Sequence, residues 1–226
     1  MAIRSFDGVA VHVVEDPARL AGGWLVRFAT EGAHLAVSGG STVGEAYAAA
    51  AELLPDWGRA HVWFGDDRAV PPDDENSNYR LVQESLLDRL RVPPEVHRVR
   101  GELGADAAAG QYDRALQGIT LDIALNGIGP DGHTASLFPN APGLGERDLR
   151  AVAAEPGLEP FVQRVTMTPP VFAATRLLIY LVTGESKAEA VRRALAEEPS
   201  PQTPASLIRG QETIAILDAA AASQLS

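Results

Sequence analysis

Along this chain, short continuous apolar runs alternate with longer stretches whose apolar residues recur every three or four positions. The runs at residues 9–14, 34–38, 61–64, 121–125, 164–167, 177–182 and 213–217 read as strands. Between them, Asp16-Pro17 reads as an N-cap followed by a proline at the first helical position, with Leu20, Trp24 and Phe28 recurring at i, i+4 and i+8. Further helices are predicted from Gly39-Gly40 to Leu54, near 77–90, over 106–116 and over 186–196. Unbroken apolar strands interleaved with amphipathic helices predict an α/β fold: a mainly parallel, twisted sheet with helices on both faces. No repeat or low-complexity segment interrupts the pattern, so residues 1–226 are expected to form one domain. The proline-rich stretch 198–204 is expected to be the most mobile loop.

Composition narrows the function. With 46% hydrophobic residues among 226, the chain can bury a substantial core. The formal charge of −11, with no Lys/Arg run longer than two, argues against nucleic acid as a partner. It also means that an anionic ligand would need local donors. With no cysteine, disulfides, thiol catalysis and cysteine-based zinc sites are excluded. Residues 1–7 lack a signal-peptide pattern, and no apolar run approaches the ~18–20 residues of a membrane span. A soluble, cytoplasmic protein without membrane partners is expected, either a monomer or a small homo-oligomer.

In parallel α/β sheets the loops after the carboxyl ends of strands form the ligand crevice, and four such loops carry candidate chemistry. Ser38-Gly39-Gly40-Ser41-Thr42 reads either as a phosphate cradle at a helix N-terminus or as a tight turn with an ordinary Ser/Thr N-cap. It has no Walker lysine, and Val43 stands where a nucleophile elbow needs glycine. Gly65-Asp66-Asp67-Arg68 could hold an anionic substrate or be a solvated polar loop, with Ser77 capping the next helix. In Gly129-Pro130-Asp131-Gly132-His133, glycines bracket an aspartate and a histidine two residues apart, a pattern suited to an imidazole general base with a carboxylate beside it. The alternative is a surface turn with a solvated histidine. His34 and His61 read as strand-edge residues. Lys187 lies in the first turn of a predicted helix, where a cation opposes the macrodipole unless it holds an anion. No His/Asp/Glu group has metal-ligand spacing, so neither a metal nor a cofactor is expected.

Taken together, these pieces resemble the 6-phosphogluconolactonase family. The resemblance rests on Ser38-Gly39-Gly40-Ser41-Thr42, on Gly65-Asp66-x-Arg68-x-Val70-Pro71 with Ser77-Asn78, and on Gly129-x-Asp131-Gly132-His133-Thr134-Ala135-Ser136-Leu137-Phe138-Pro139. Arg164-Val165-Thr166-Met167-Thr168 and Val182-Thr183-Gly184-x-x-Lys187-Ala188 complete it, in the family's order, across nearly the whole chain. The stretch around His133 is highly specific, whereas the Ser-Gly-Gly-Ser-Thr turn is shared with sugar-phosphate isomerases of related fold. Two positions depart from the family: Asp67 stands where glutamate is usual, and Val43 where proline is usual.

The resemblance implies a modified Rossmann-like fold and hydrolysis of 6-phospho-D-glucono-1,5-lactone to 6-phospho-D-gluconate, without a cofactor. It implies His133 as the base toward water, Asp131 orienting the imidazole, and Arg68 stabilising the developing negative charge. Lys187, Arg164 and the Gly39-Gly40-Ser41-Thr42 turn would hold the phosphate, with Asp66 as a further substrate contact. The nearest rival is a glucosamine-6-phosphate deaminase, but Phe138 stands where that enzyme's glutamate falls, five residues after His133, and Arg68 where it has tyrosine. A sugar-phosphate sensor without catalysis is the other rival. It lacks support, since no helix-turn-helix appendage or basic face is present.

Overall fold

A computed structural model of the chain describes residues 2–6, 8–29 and 32–225. The elements in chain order are β1 (Ala2–Phe6), β2 (Val9–Val13), α1 (Pro17–Phe28), β3 (His34–Val37), α2 (Ser41–Leu53), β4 (His61–Phe64), β5 (Asp66–Arg68), α3 (Asn78–Ser85), β6 (Glu95–His97) and α4 (Ala105–Ala115). They continue with β7 (Ile123–Asn126), β8 (Ala151–Ala154), β9 (Arg164–Met167), α5 (Pro169–Ala174), β10 (Leu177–Val182), α6 (Ala188–Leu195), α7 (Pro204–Leu207) and β11 (Glu212–Leu217).

Eight strands pair in the order β1-β2-β11-β10-β7-β3-β4-β6, all parallel except the antiparallel β1–β2 edge. The central strands explain the unbroken apolar runs: every residue of β7 and β10 is buried, so both faces of the sheet's middle are covered. Four strands escaped the sequence pattern, namely β1, β5, β6 and β8. Three of them are three or four residues long, and β5 is Asp-Asp-Arg, which becomes a strand only because a partner lies beside it. Strand β9, expected among the parallel strands, instead sits at the centre of a separate antiparallel sheet ordered β5-β9-β8.

Helix α1 begins as expected, with the Asp16 carboxylate accepting from the Arg19 N–H at 2.9 Å and Pro17 at the first position. Its buried face, however, is Pro17, Ala21, Gly22 and Leu25, while Leu20, Trp24 and Phe28 pack only on the flank. The reason is close packing on α2: a Cβ at Gly22 would lie 2.8 Å from the Ala46 carbonyl oxygen. The 198–204 stretch is likewise held in place. Asn140 N–H donates to the Pro201 carbonyl at 2.9 Å, Ser200 N–H to Ser206 Oγ at 2.8 Å, and Ala205 N–H to the Gly132 carbonyl at 2.9 Å.

Strands β3 and β7 are neighbours at the sheet's centre, yet the chain leaves them in opposite directions, β3 toward β4 and β7 toward β10. Their following loops therefore diverge and open a crevice, as at the switch point of doubly wound sheets. Among the described residues, no helix is long and apolar enough to cross a membrane.

Candidate active site

The crevice is a cavity of about 280 Å³ built from all four loops that the sequence singled out. Of the predicted site residues, Gly39, Gly40, Ser41, Thr42, Asp66, Arg68, His133, Arg164 and Lys187 line it. Asp131 does not line it but stands behind His133, which makes it a positioning residue.

The His133 ring is fixed from three sides. Its Nδ1 lies 2.6 Å from Asp131 Oδ1, and the same oxygen accepts the His133 N–H at 3.1 Å. Nδ1 therefore carries the proton, and the Nε2 lone pair is left open. The Phe138 ring lies against the imidazole at a centroid distance of 4.8 Å. Behind it, a Cβ at Gly129 would fall 2.0 Å from His133 Nδ1 and 2.8 Å from Asp131 Oδ1. Only glycine leaves that space, so the bent loop inferred from its glycines has a steric cause. Burial by itself pushes the Asp131 carboxyl up, but the hydrogen bond and charge of His133 pull it down further, to below its ordinary value.

The Ser38–Thr42 turn had two readings, and the cap bears on the second of them, an ordinary Ser/Thr N-cap, which is not what is found. Helix α2 is capped by Gly40 with φ 123°, and no side chain accepts from its first turn. The free N–H groups and the positive end of the macrodipole thus face the crevice, as an anion site requires. Thr42 Oγ1 lies 2.8 Å from Thr183 Oγ1. Close by, Lys187 closes the 3-10 turn Glu185–Lys187 just before α6, rather than sitting inside the helix's first turn as expected. Burial lowers the Lys187 pKa below the ordinary lysine value, with Asp131 opposing.

Two guanidiniums also line the cavity. Arg68 on β5 pairs directly across from Arg164 on β9, and burial together with Arg68's charge lowers the Arg164 pKa. Arg164 is held by the carbonyls of Leu158, Pro160 and Val162 at 3.3, 3.1 and 3.2 Å, so it also shapes the strap at the cavity rim. Arg68 donates to the Asn76 carbonyl, while its buried Nε has no partner among the described residues. Buried Asp66 accepts from Ser136 Oγ at 2.6 Å and from Asn78 Nδ2 at 3.3 Å, tying the second loop to the third. Asp67 points away from the cavity and caps α3, accepting from the N–H groups of Arg68, Asn78 and Tyr79 at 2.7, 2.6 and 3.1 Å. A shorter acid than the family's glutamate thus serves a helix cap here.

A scan against protein-family models matches residues 24–216 to the glucosamine-6-phosphate isomerases/6-phosphogluconolactonase family. The chain belongs to that family. The human 6-phosphogluconolactonase is 38% identical over 188 residues, covering 77% of this chain and 73% of that protein. The 6-phosphogluconolactonase of Haemophilus influenzae is 36% identical over 168 residues, covering 70% and 72%. The solved structure of 6-phosphogluconolactonase from Trypanosoma brucei superposes with a TM-score of 0.84 at 25% identity, covering 98% of this chain and 100% of that one. The modified Rossmann-like sheet is the fold that the Trypanosoma brucei structure shares with it.

The sequence pattern did not mark several residues that line or brace this cavity. Asn78 lines the cavity, and a Cβ at Gly39 would strike its Oδ1 at 2.0 Å, so turn and asparagine fit as a pair. Thr183 and Ser136 stood inside the quoted motifs without a role. Leu158 and Glu159, on the strap, also line the cavity, and no local pattern marks them.

Proposed function

We propose that this chain hydrolyses 6-phospho-D-glucono-1,5-lactone to 6-phospho-D-gluconate, the second step of the oxidative pentose phosphate pathway, with His133 as general base. The observation that carries this reading is the Asp131–His133 pair, 2.6 Å apart, turning an open imidazole nitrogen into a cavity also lined by Lys187, Arg68 and Arg164. Water attacks the C1 carbonyl while His133 Nε2 takes its proton. The tetrahedral oxyanion forms near the Arg68 side of the cavity, where buried positive charge stabilises it. As the C1–ring oxygen bond breaks, the imidazolium returns its proton to the leaving ring oxygen. Lys187, Arg164, Ser41, Thr42 and the bare N-terminus of α2 hold the phosphate, and Asp66 keeps the loops in register. Base and charge stabilisation suffice for this chemistry, so it calls for no cofactor. The reading also places the protein in the cytoplasm as one domain, with a small sugar-phosphate lactone as its partner and no nucleic acid or membrane.

The test is an assay of purified protein on freshly made 6-phosphogluconolactone, corrected for spontaneous hydrolysis. A rate well above the buffer blank is expected. A rate equal to the blank, with ammonia released from glucosamine 6-phosphate, would sink the lactonase assignment.

A further inference from the structure

A second chemical cluster lies at the amino ends of the strands, far from the catalytic loops, and none of its members lines the catalytic cavity. In the parallel register, His34 pairs with His61 and His61 with Glu95, so one row crosses β3, β4 and β6. Two residues further along on the same face, Trp63 pairs with His97. The linear sequence hides this set, because its members fall on different strands.

His61 Nδ1 and His97 Nε2 share a hydrogen bond of 3.0 Å, whose proton an ion would displace on binding. The Glu95 carboxylate closes the triangle, with Oε2 3.4 Å from His61 Nδ1 and Oε1 3.5 Å from His97 Nε2. These carboxylate distances exceed the ~2.7–2.9 Å of a charge-assisted hydrogen bond. They match the ~3.3–3.4 Å between neighbouring donors around a tetrahedral metal with bonds of about 2.0–2.1 Å. Among the described residues, this is the group of His, Asp and Glu side chains whose ligand atoms converge, all within 4.8 Å of one another.

The rings are also held in place before any ion arrives. His97 stacks on Trp63 at 3.9 Å with planes 10° apart, and His61 stacks on His34 at 4.5 Å. Trp63 Nε1 in turn donates to His34 Nδ1 at 2.9 Å. Two imidazoles and one carboxylate suit zinc or a neighbouring late divalent ion, not magnesium or calcium. Glu95 is 64% exposed, which leaves a fourth position open to water, and the net charge of −11 draws cations toward the surface.

We propose that His61, Glu95 and His97 form a zinc-type divalent metal site that clamps the three-residue edge strand β6 to β4, apart from the catalytic cavity. Chelator-treated full-length protein is titrated with zinc chloride by calorimetry, with tryptophan fluorescence and thermal unfolding followed in parallel. One equivalent should bind at micromolar concentration or tighter, shift the fluorescence through Trp63 and raise Tm, while lactone hydrolysis stays unchanged. His97→Gln and His61→Gln should weaken binding by about 100-fold and the exposed Glu95→Gln by about 10-fold, whereas His133→Ala should bind as the unaltered chain does. Absence of saturable binding overturns the proposal, as does full binding by folded His97→Gln and His61→Gln, or loss of binding in His133→Ala instead. Should the histidine variants fail to fold, anomalous scattering at the zinc edge from zinc-soaked crystals of the unaltered protein decides. Density between His61 and His97 supports the site, and density elsewhere or none rejects it.

Discussion

At the scale of single residues, the site depends as much on an absent atom as on the groups that react. Gly129→Ala would place a methyl 2.0 Å from His133 Nδ1, forcing either the imidazole off Asp131 or the loop out of shape. A fall in kcat of at least about 10-fold is expected, since a displaced base loses part of its usual 10²–10⁴-fold contribution. His133→Ala should lose that whole contribution, about 10²–10⁴-fold in kcat, with KM little changed. A folded variant that keeps most of the rate would remove His133 from the mechanism. Lys187→Ala should instead mainly raise KM, because a phosphate contact remote from C1 is felt equally in ground and transition states. Its pH dependence has a definite sign. Burial lowers the Lys187 pKa in the free protein, and a bound phosphate dianion would raise it again, so binding takes up a proton at alkaline pH. The affinity for 6-phosphogluconate should therefore fall as pH rises, starting below the ordinary lysine range, and Lys187→Arg should flatten that fall. Calorimetric titration at several pH values measures it, and identical profiles for both proteins would contradict the assignment.

At the scale of elements, two helix N-termini have been given opposite treatments. The first turn of α2 has no side-chain cap and faces the cavity, whereas α3 is capped twice, by Ser77 and by Asp67. The difference is what the proposed phosphate site at α2 needs, since a capped helix end has fewer N–H groups left for a ligand. Asp67→Ala strips an acceptor from one buried and two half-buried N–H groups and should cost about 3 kcal/mol of stability. Denaturant unfolding should report that loss. A variant as stable as the parent would show that water replaces the carboxylate. The strap is a further case: Arg164 holds three of its carbonyls, so Arg164 shapes the rim that presents Leu158 and Glu159.

At the scale of the whole molecule, the strand order places the four loops around one cavity, and the identity of a few side chains then selects the reaction. The fold is shared between lactonases and isomerases of this family. A deaminase must open a sugar ring and move a proton between C2 and C1, and Phe138, lying against His133, offers no acid–base group for that work. Measurable lactonase activity with no ammonia from glucosamine 6-phosphate, at matched enzyme concentration, is the expected outcome. Replacing Phe138 alone with glutamate should not create a deaminase, since Arg68 also differs. Ammonia release from Phe138→Glu would show that one carboxylate is enough.

Local sequence determined what local physics can determine. Buried-strand composition set the main parallel strands, Asp16-Pro17 and Ser77 set helix starts, and glycine spacing around Asp131 and His133 marked the loop that brings an imidazole to the cavity. What needs a partner in space was not legible. Strand β5 exists through β9, the buried face of α1 follows from Gly22 lying against α2, and the 198–204 loop is held by Asn140 and Ser206. The same holds for Asn78 under Gly39, and for His61, Glu95 and His97, which meet only because β4 and β6 pair in register. Periodicity and capping act within a few residues of chain, whereas strand pairing and close packing join residues that the sequence keeps far apart. For that reason tertiary structure alone decided which groups share a site.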